Sequence, residues 1–259
     1  MIRRFNYTGR KKIERSRVGI SLRRPREGDV VFDADLQLGG LDVPLEARVY
    51  VEAYYKASFM RFDFGTVANI VEPASRRLTD TGGGDVVFFR VRVVDLTGEH
   101  GRLLAEVDGV TPRQPDSVPA NRRCLLYVNF KDLGEEVWRL EFDNPMPVLE
   151  VNDRIENIRD IVLTDRKFRS LVYPAAVREI LQRILIIEEH DAADDDGEWA
   201  SLWLRFVRRF HTVDPPRLDP DSNAARQARL EWIDEAVHAF CQFVGARESF
   251  ALAGQEGPR

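Results

Sequence analysis

Apolar residues alternate with polar ones through most of this chain, then recur at intervals of three and four, with the change of period near residue 160. The first spacing is that of a strand, whose side chains face opposite ways in turn; the second is that of a helix packed along one stripe. Sheets followed by helices place the chain in the α+β class. The longest alternation sets Leu45, Ala47, Val49, Val51, Ala53 and Tyr55 against Glu46, Arg48, Tyr50, Glu52, Tyr54 and Lys56. It reads as a strand with one dry and one wet face, and Met60, Phe62 and Phe64 opposite Arg61 and Asp63 supply a hairpin partner across a bend near Ser58.

Further strands are expected at Val18 to Leu22, Val31 to Leu38, Val86 to Val94, Leu103 to Val107, Cys124 to Phe130, Val137 to Phe142 and Val148 to Val151. Even spacing without helical stretches between them predicts an antiparallel β-sandwich or jelly-roll-like body over residues 1–160, with a basic N-terminal segment. Gly82, Gly83 and Gly84 read as a loop, because the Lys-Ser/Thr pair of a phosphate-binding loop is missing.

Beyond 160, Val177, Ile180, Leu181, Ile184 and Ile187 follow Pro174, a residue suited to the first turn of a helix ending near His190. Trp199, Leu202, Phe206, Val207 and Phe210 mark a second helix. Leu230, Ile233, Val237, Phe240 and Val244 mark a third, capped by Asp221 or Ser222 and stopped by Gly245. About three helices therefore form a C-terminal subdomain over 161–250, and 251–259 reads as a flexible tail.

Chemistry is harder to find. Asp63-Phe64-Gly65 matches a kinase magnesium triplet but sits in a strand without that family's companion motifs. The acidic run Glu188, Glu189, Asp191, Asp194, Asp195 and Asp196 lacks calcium-loop spacing and reads as a solvated loop. His100, His190, His211 and His238 have no paired spacing, and no nucleophile elbow occurs. His238 lies near Asp234 and Glu235 at helical spacing, which gives it a salt-bridge role. A metal-dependent hydrolase or nuclease would have to draw on Asp33, Asp35, Glu141 and Asp143. No cofactor motif is present.

Charge is distributed unevenly. Met1 to Arg26 holds ten of the 38 basic residues and one of the 43 acids, in a chain of net charge −5. Arg3, Arg4, Arg10, Lys11, Lys12, Arg15 and Arg17 form a candidate site for an anionic partner, and Phe5 and Tyr7 could stack on bases. Thirty-three of the basic residues in the whole chain are arginine, an excess attributable to base composition, so arginine count alone argues little. The expected function is a non-enzymatic accessory or scaffold subunit of a larger cytoplasmic assembly, with a protein partner. The alternatives are nucleic-acid binding through Arg3 to Arg26 and the metal-dependent hydrolase. Tyr50 and Tyr54, on the polar face of the longest alternation, suit interface anchors if uncovered and could equally pack beneath the helices. Two cysteines, Cys124 and Cys241, each among apolar neighbours, suit core packing in a reducing compartment, and no apolar run is long enough for a membrane span.

Overall fold

A computed structural model describes residues 9–23, 29–81, 85–113, 124–190, 198–217, 219 and 222–252. Their strands are β1 (Lys11–Lys12), β2 (Val18–Arg23), β3 (Val30–Leu36), β4 (Arg48–Tyr55), β5 (Ser58–Thr66), β6 (Arg77–Leu78), β7 (Phe88–Asp95), β8 (Arg102–Val110), β9 (Tyr127–Lys131), β10 (Trp138–Glu141) and β11 (Val148–Asn152). The helices are α1 (Ile158–Thr164), α2 (Arg166–Gln182), α3 (Trp199–Val207), α4 (Asn223–Phe243) and α5 (Ala246–Leu252). The fold is thus mixed α+β, with three sheets of five, three and three strands. The chain divides into two compact units, Met1–Arg123 with Asp143–Pro145, and Cys124–Phe142 with Met146–Arg259.

In the first unit the long alternation becomes β4, the middle of the run β7-β4-β5 in a sheet ordered β1-β8-β7-β4-β5. Its dry side, Val49, Val51 and Ala53, is fully buried beside Phe64 of β5, Phe89, Val91 and Val93 of β7, and Ala105 of β8. The same core holds Val18, Ile20 and Phe32 from the second sheet, β2-β3-β6, so one apolar cluster draws on both. Phe32 stands edge-on to Phe62 at 4.8 Å and 5.1 Å from Phe89, an arrangement that suits the ring quadrupoles. Near the end of β5 the chain bends at Gly65, where φ is 83° and an added Cβ would meet Asn69 O at 2.5 Å.

The second unit is a sheet ordered β10-β11-β9 with all five helices. Leu149 and Val151 of β11 share a buried cluster with Val177, Ile180 and Ile184, with Trp203 and Leu204 of α3, and with Trp232, Ile233 and Phe240 of α4. Asp165 caps α2 by accepting from Phe168 N at 2.6 Å, and Ser222 caps α4 by accepting from Ala225 N at 3.3 Å. Arg229 is 1% exposed and donates to Leu185 O at 2.6 Å and Pro216 O at 3.0 Å, so the buried guanidinium is satisfied by main-chain carbonyls.

The structure departs from the sequence expectations in four places. Not every pair is antiparallel: β1 runs parallel to β8, and β9 parallel to β11, because apolar alternation fixes faces but carries no strand direction. Five helices form where about three were expected; α1 and α5, seven residues each, are too short to show a period. Pro174 lies inside α2 rather than at its start, which removes one backbone bond, to Ser170, from a helix already nucleated at the Asp165 cap. Ala251 and Leu252, expected in the tail, end α5. The glycines 82–84, Asp191 to Asp196, Asp221 and the residues after 252 lie outside the described residues. No described helix is long and apolar enough to cross a membrane.

Candidate functional site

The side of the five-stranded sheet turned away from the core is organised by one buried carboxylate. Glu52 alternates with the dry-side residues of β4, yet its side chain is 0% exposed. The ladder explains why: Arg61 of β5 and Arg90 of β7 both stand directly opposite it. Arg61 Nε and Nη2 each lie 2.7 Å from Glu52 Oε1; Arg90 Nε donates to Oε2; Arg92 Nη1 lies 3.4 Å from Oε2. Burial pushes the Glu52 carboxyl up, but the hydrogen bonds from Arg90 and Arg61, with the charges of Arg90 and Arg92, outweigh it and hold the group below the usual carboxylate range.

Aromatic rings fix the guanidinium planes. Arg61 lies over Tyr50 at 5.2 Å, and Arg90 lies over Tyr54 at 4.8 Å and Phe59 at 5.5 Å. Tyr54 is 5% exposed and donates from its hydroxyl to Asp108, so burial and that acceptor raise its phenol far above the usual range. Of the two readings open for Tyr54, packed or uncovered, the structure gives the packed one; Phe59, 49% exposed, is an open ring on this face. Asp108 also accepts from Gly109 N at 2.6 Å, and Gly109 has φ 67° where an added Cβ would meet Pro145 at 2.7 Å and Arg15 at 3.1 Å.

Around this centre, Arg48 pairs with Asp63, Arg92 lies 4.0 Å from Glu106, and Arg10 lies 3.9 Å from Glu106. Arg10, Arg48, Arg61, Arg90 and Arg92 thus meet Glu52, Asp63 and Glu106, with Lys12 opposite Glu106 in the ladder. The face carries a positive excess on a chain of net negative charge.

Of the arm residues, Arg3, Arg4, Phe5 and Tyr7 lie outside the described residues, as do Arg24 and Arg26. Three of the others are held by side-chain bonds within the first unit. Lys11 bonds to Asp42, Arg15 Nε donates to Asp108 O at 3.3 Å, and Arg17 Nη1 donates to Gly39 O at 2.8 Å. The Lys12 side chain has no hydrogen bond or ion pair among the described residues, and its backbone is paired with β8. The structure therefore brings Arg10 and Lys12 to the Glu52 face, while Lys11 and Arg17 tie the arm to the loop at 39–42. Sequence reasoning missed Arg61, Arg90, Arg92 and Glu52; the available signal was a pair of arginines two residues apart in β7, at 90 and 92, with a glutamate on the polar side of β4.

Other candidates disperse. Among the described residues no group of three His, Cys, Asp or Glu is placed to hold a metal ion, and Asp33 is bound by Arg23 at 2.7 Å and Arg76 at 3.2 Å. Asp63 of the kinase-like triplet accepts from Gly65 N at 2.8 Å and from Arg48, which makes it a turn residue. His238 meets Gln242 at 3.0 Å rather than the acids near it, which go to Arg178 and His211. His190 and Ser201 lie 3.3 Å apart. Cys124 and Cys241 are free, part-buried thiols, both pushed up by burial. No protein-family model, no curated protein and no solved structure matches this chain.

Proposed function

We propose that the chain is a non-enzymatic accessory or scaffold subunit whose body docks an acidic protein partner on the arginine-lined face of the five-stranded sheet. The observation that carries this reading is Glu52, a fully buried carboxylate that holds Arg61, Arg90 and Arg92 in place while Arg61 and Arg92 keep 49% and 28% of their side chains exposed. Guanidinium groups anchored at one edge and stacked on rings lose little freedom when their remaining donors meet a carboxylate, and five planar donors suit bidentate pairing. An enzyme would need a convergent catalytic set, and this face offers ion pairs and rings instead.

The body is a β-sandwich-like arrangement in this proposal, a reading supported by the cluster that Ile20 and Phe32 share with Val51, Phe89 and Val91. A cytoplasmic setting is part of the same reading and is supported by the two free cysteines.

Binding of labelled polyglutamate, followed by fluorescence anisotropy at low and high salt, tests the face. The wild-type chain should bind, weaken as salt rises, and lose affinity at least tenfold in the folded double variant Arg61→Gln, Arg92→Gln. Equal affinity in that variant, with its near-ultraviolet circular dichroism unchanged, would sink the reading.

A further inference from the structure

We infer that the acidic partner engages as an added β-strand along the free edge of β5, a claim that rests on the reading of the Glu52 face given above. Among the described residues this edge is open over its first half. β5 ends the sheet order β1-β8-β7-β4-β5, and β4 is its one strand neighbour among the described residues. Its far end is closed by the following turn, where Val71 N donates to Phe64 O at 2.9 Å and Thr66 N to Asn69 O at 3.0 Å. From Ser58 to Asp63 the side away from β4 makes no backbone–backbone bond among the described residues, and Asp80 N donates to the Met60 sulfur at 3.4 Å. Outward amides and carbonyls of an edge strand are a template for another chain, and adding a strand satisfies them.

The side chains along this edge select what is added. A strand laid beside β5 runs about 4.8 Å away, so its side chains fall in register next to those of β5 and alternate between the same two faces. On the outer face they would meet Phe59, Arg61 and Asp63, of which Asp63 is already neutralised by Arg48. Arg61 uses Nε and Nη2 on Glu52, which leaves Nη1 for a second carboxylate. On the other face the neighbours are Met60 and Phe62, both apolar. The complementary occupant is an extended segment of an acidic protein that alternates apolar residues toward Met60 and Phe62 with acids toward Arg61. The main-chain edge favours a peptide over nucleic acid here, because phosphates would meet the arginines but leave the row of outward amides and carbonyls unpaired.

Capped, fluorescein-labelled octapeptides of alternating valine and glutamate, and of alternating valine and lysine, provide the probe. Two further versions of the first carry N-methyl groups on all valines or on all glutamates. In a paired strand successive amides point to opposite sides, so one set of methyls blocks the ladder and the other faces solvent. The expected result is binding of the glutamate peptide at least tenfold tighter than the lysine one, a loss of tenfold or more in one methylated version, and near-equal affinity in the other. If the glutamate peptide binds and both methylated versions behave alike, strand addition is overturned while docking of acids on the face stands. No preference for glutamate over lysine would remove both. Dimerisation of the chain in light scattering that the glutamate peptide fails to reverse would give the edge to a second copy and overturn the inference.

Discussion

Each unit buries one glutamate at the centre of a sheet, and the two solve the same electrostatic problem differently. Glu52 on β4 and Glu150 on β11 are both 0% exposed, and each sits on a strand paired on both sides, with an arginine directly opposite. Glu150 accepts from Arg139 at 2.8 Å and lies 3.8 Å from Lys131, but Arg139 also reaches Glu136 at 3.7 Å, so two cations meet two acids. Glu52 gathers three arginines, of which one, Arg92, is shared with Glu106. A balanced cluster pins β9, β10 and β11 together and has little left for a ligand. An unbalanced one leaves cationic valence pointing outward.

The largest expected effect comes from removing the charge that holds three arginines. Glu52→Gln should lower unfolding stability by about 3 kcal/mol in urea titration, toward the low end for a broken buried pair because the arginines remain part-exposed. Glu150→Gln should cost about 2 kcal/mol, since its second cation lies at 3.8 Å; an equal or larger loss there would erase the contrast. Acid titration sharpens it further. The folded Glu52 carboxyl lies below its unfolded value, so its contribution is complete above ~4.3 and fades as pH falls through the lower folded value. The Glu52→Gln variant should lack that part of the acid limb, and an unchanged slope of stability against pH would contradict the assignment. Tyr54→Phe leaves Asp108 without one donor and should cost about 1 kcal/mol by thermal unfolding. Smallest of all, Arg10→Ala should stay within ~0.5 kcal/mol of wild type, as an exposed pair at 3.9 Å contributes little.

Much of the secondary structure was legible because it follows local rules. The alternation from Leu45 onward yields β4, Ser222 caps α4, and Gly245 ends its last turn at φ 61°. The polar side of β4 was misread as wet. Period two assigns Glu52 and Tyr54 to a face but does not say which residues of β5 and β7 stand beside them, and that register depends on a hairpin and on a return strand some forty positions later. The helices and the strands β9 to β11 share a unit for a similar reason: periodicity marks where helices begin, whereas the partner of each apolar face is chosen by packing, as when Leu149 meets Ile180 in one cluster. The charge of the N-terminal arm was visible, but its pairing with Asp42 and Glu106 depends on β1 lying parallel to β8.

Asp143–Pro145 belongs to the first unit although the chain on either side of it belongs to the second. Asn144 Oδ1 accepts from Lys56 N at 2.9 Å, at the left-handed corner where β4 turns into β5, and Pro145 abuts Gly109. On the ribosome, then, the hairpin carrying Glu52 and Arg61 emerges long before the residue that fastens its tip. Completion of the first unit must wait for synthesis to pass residue 145, and by then β9 and β10 of the second have also been made. A protease cut or stop codon just after Arg123 would release every strand of the five-stranded sheet without its clasp. Such a truncated chain should be trimmed quickly, even with its sheet sequence whole.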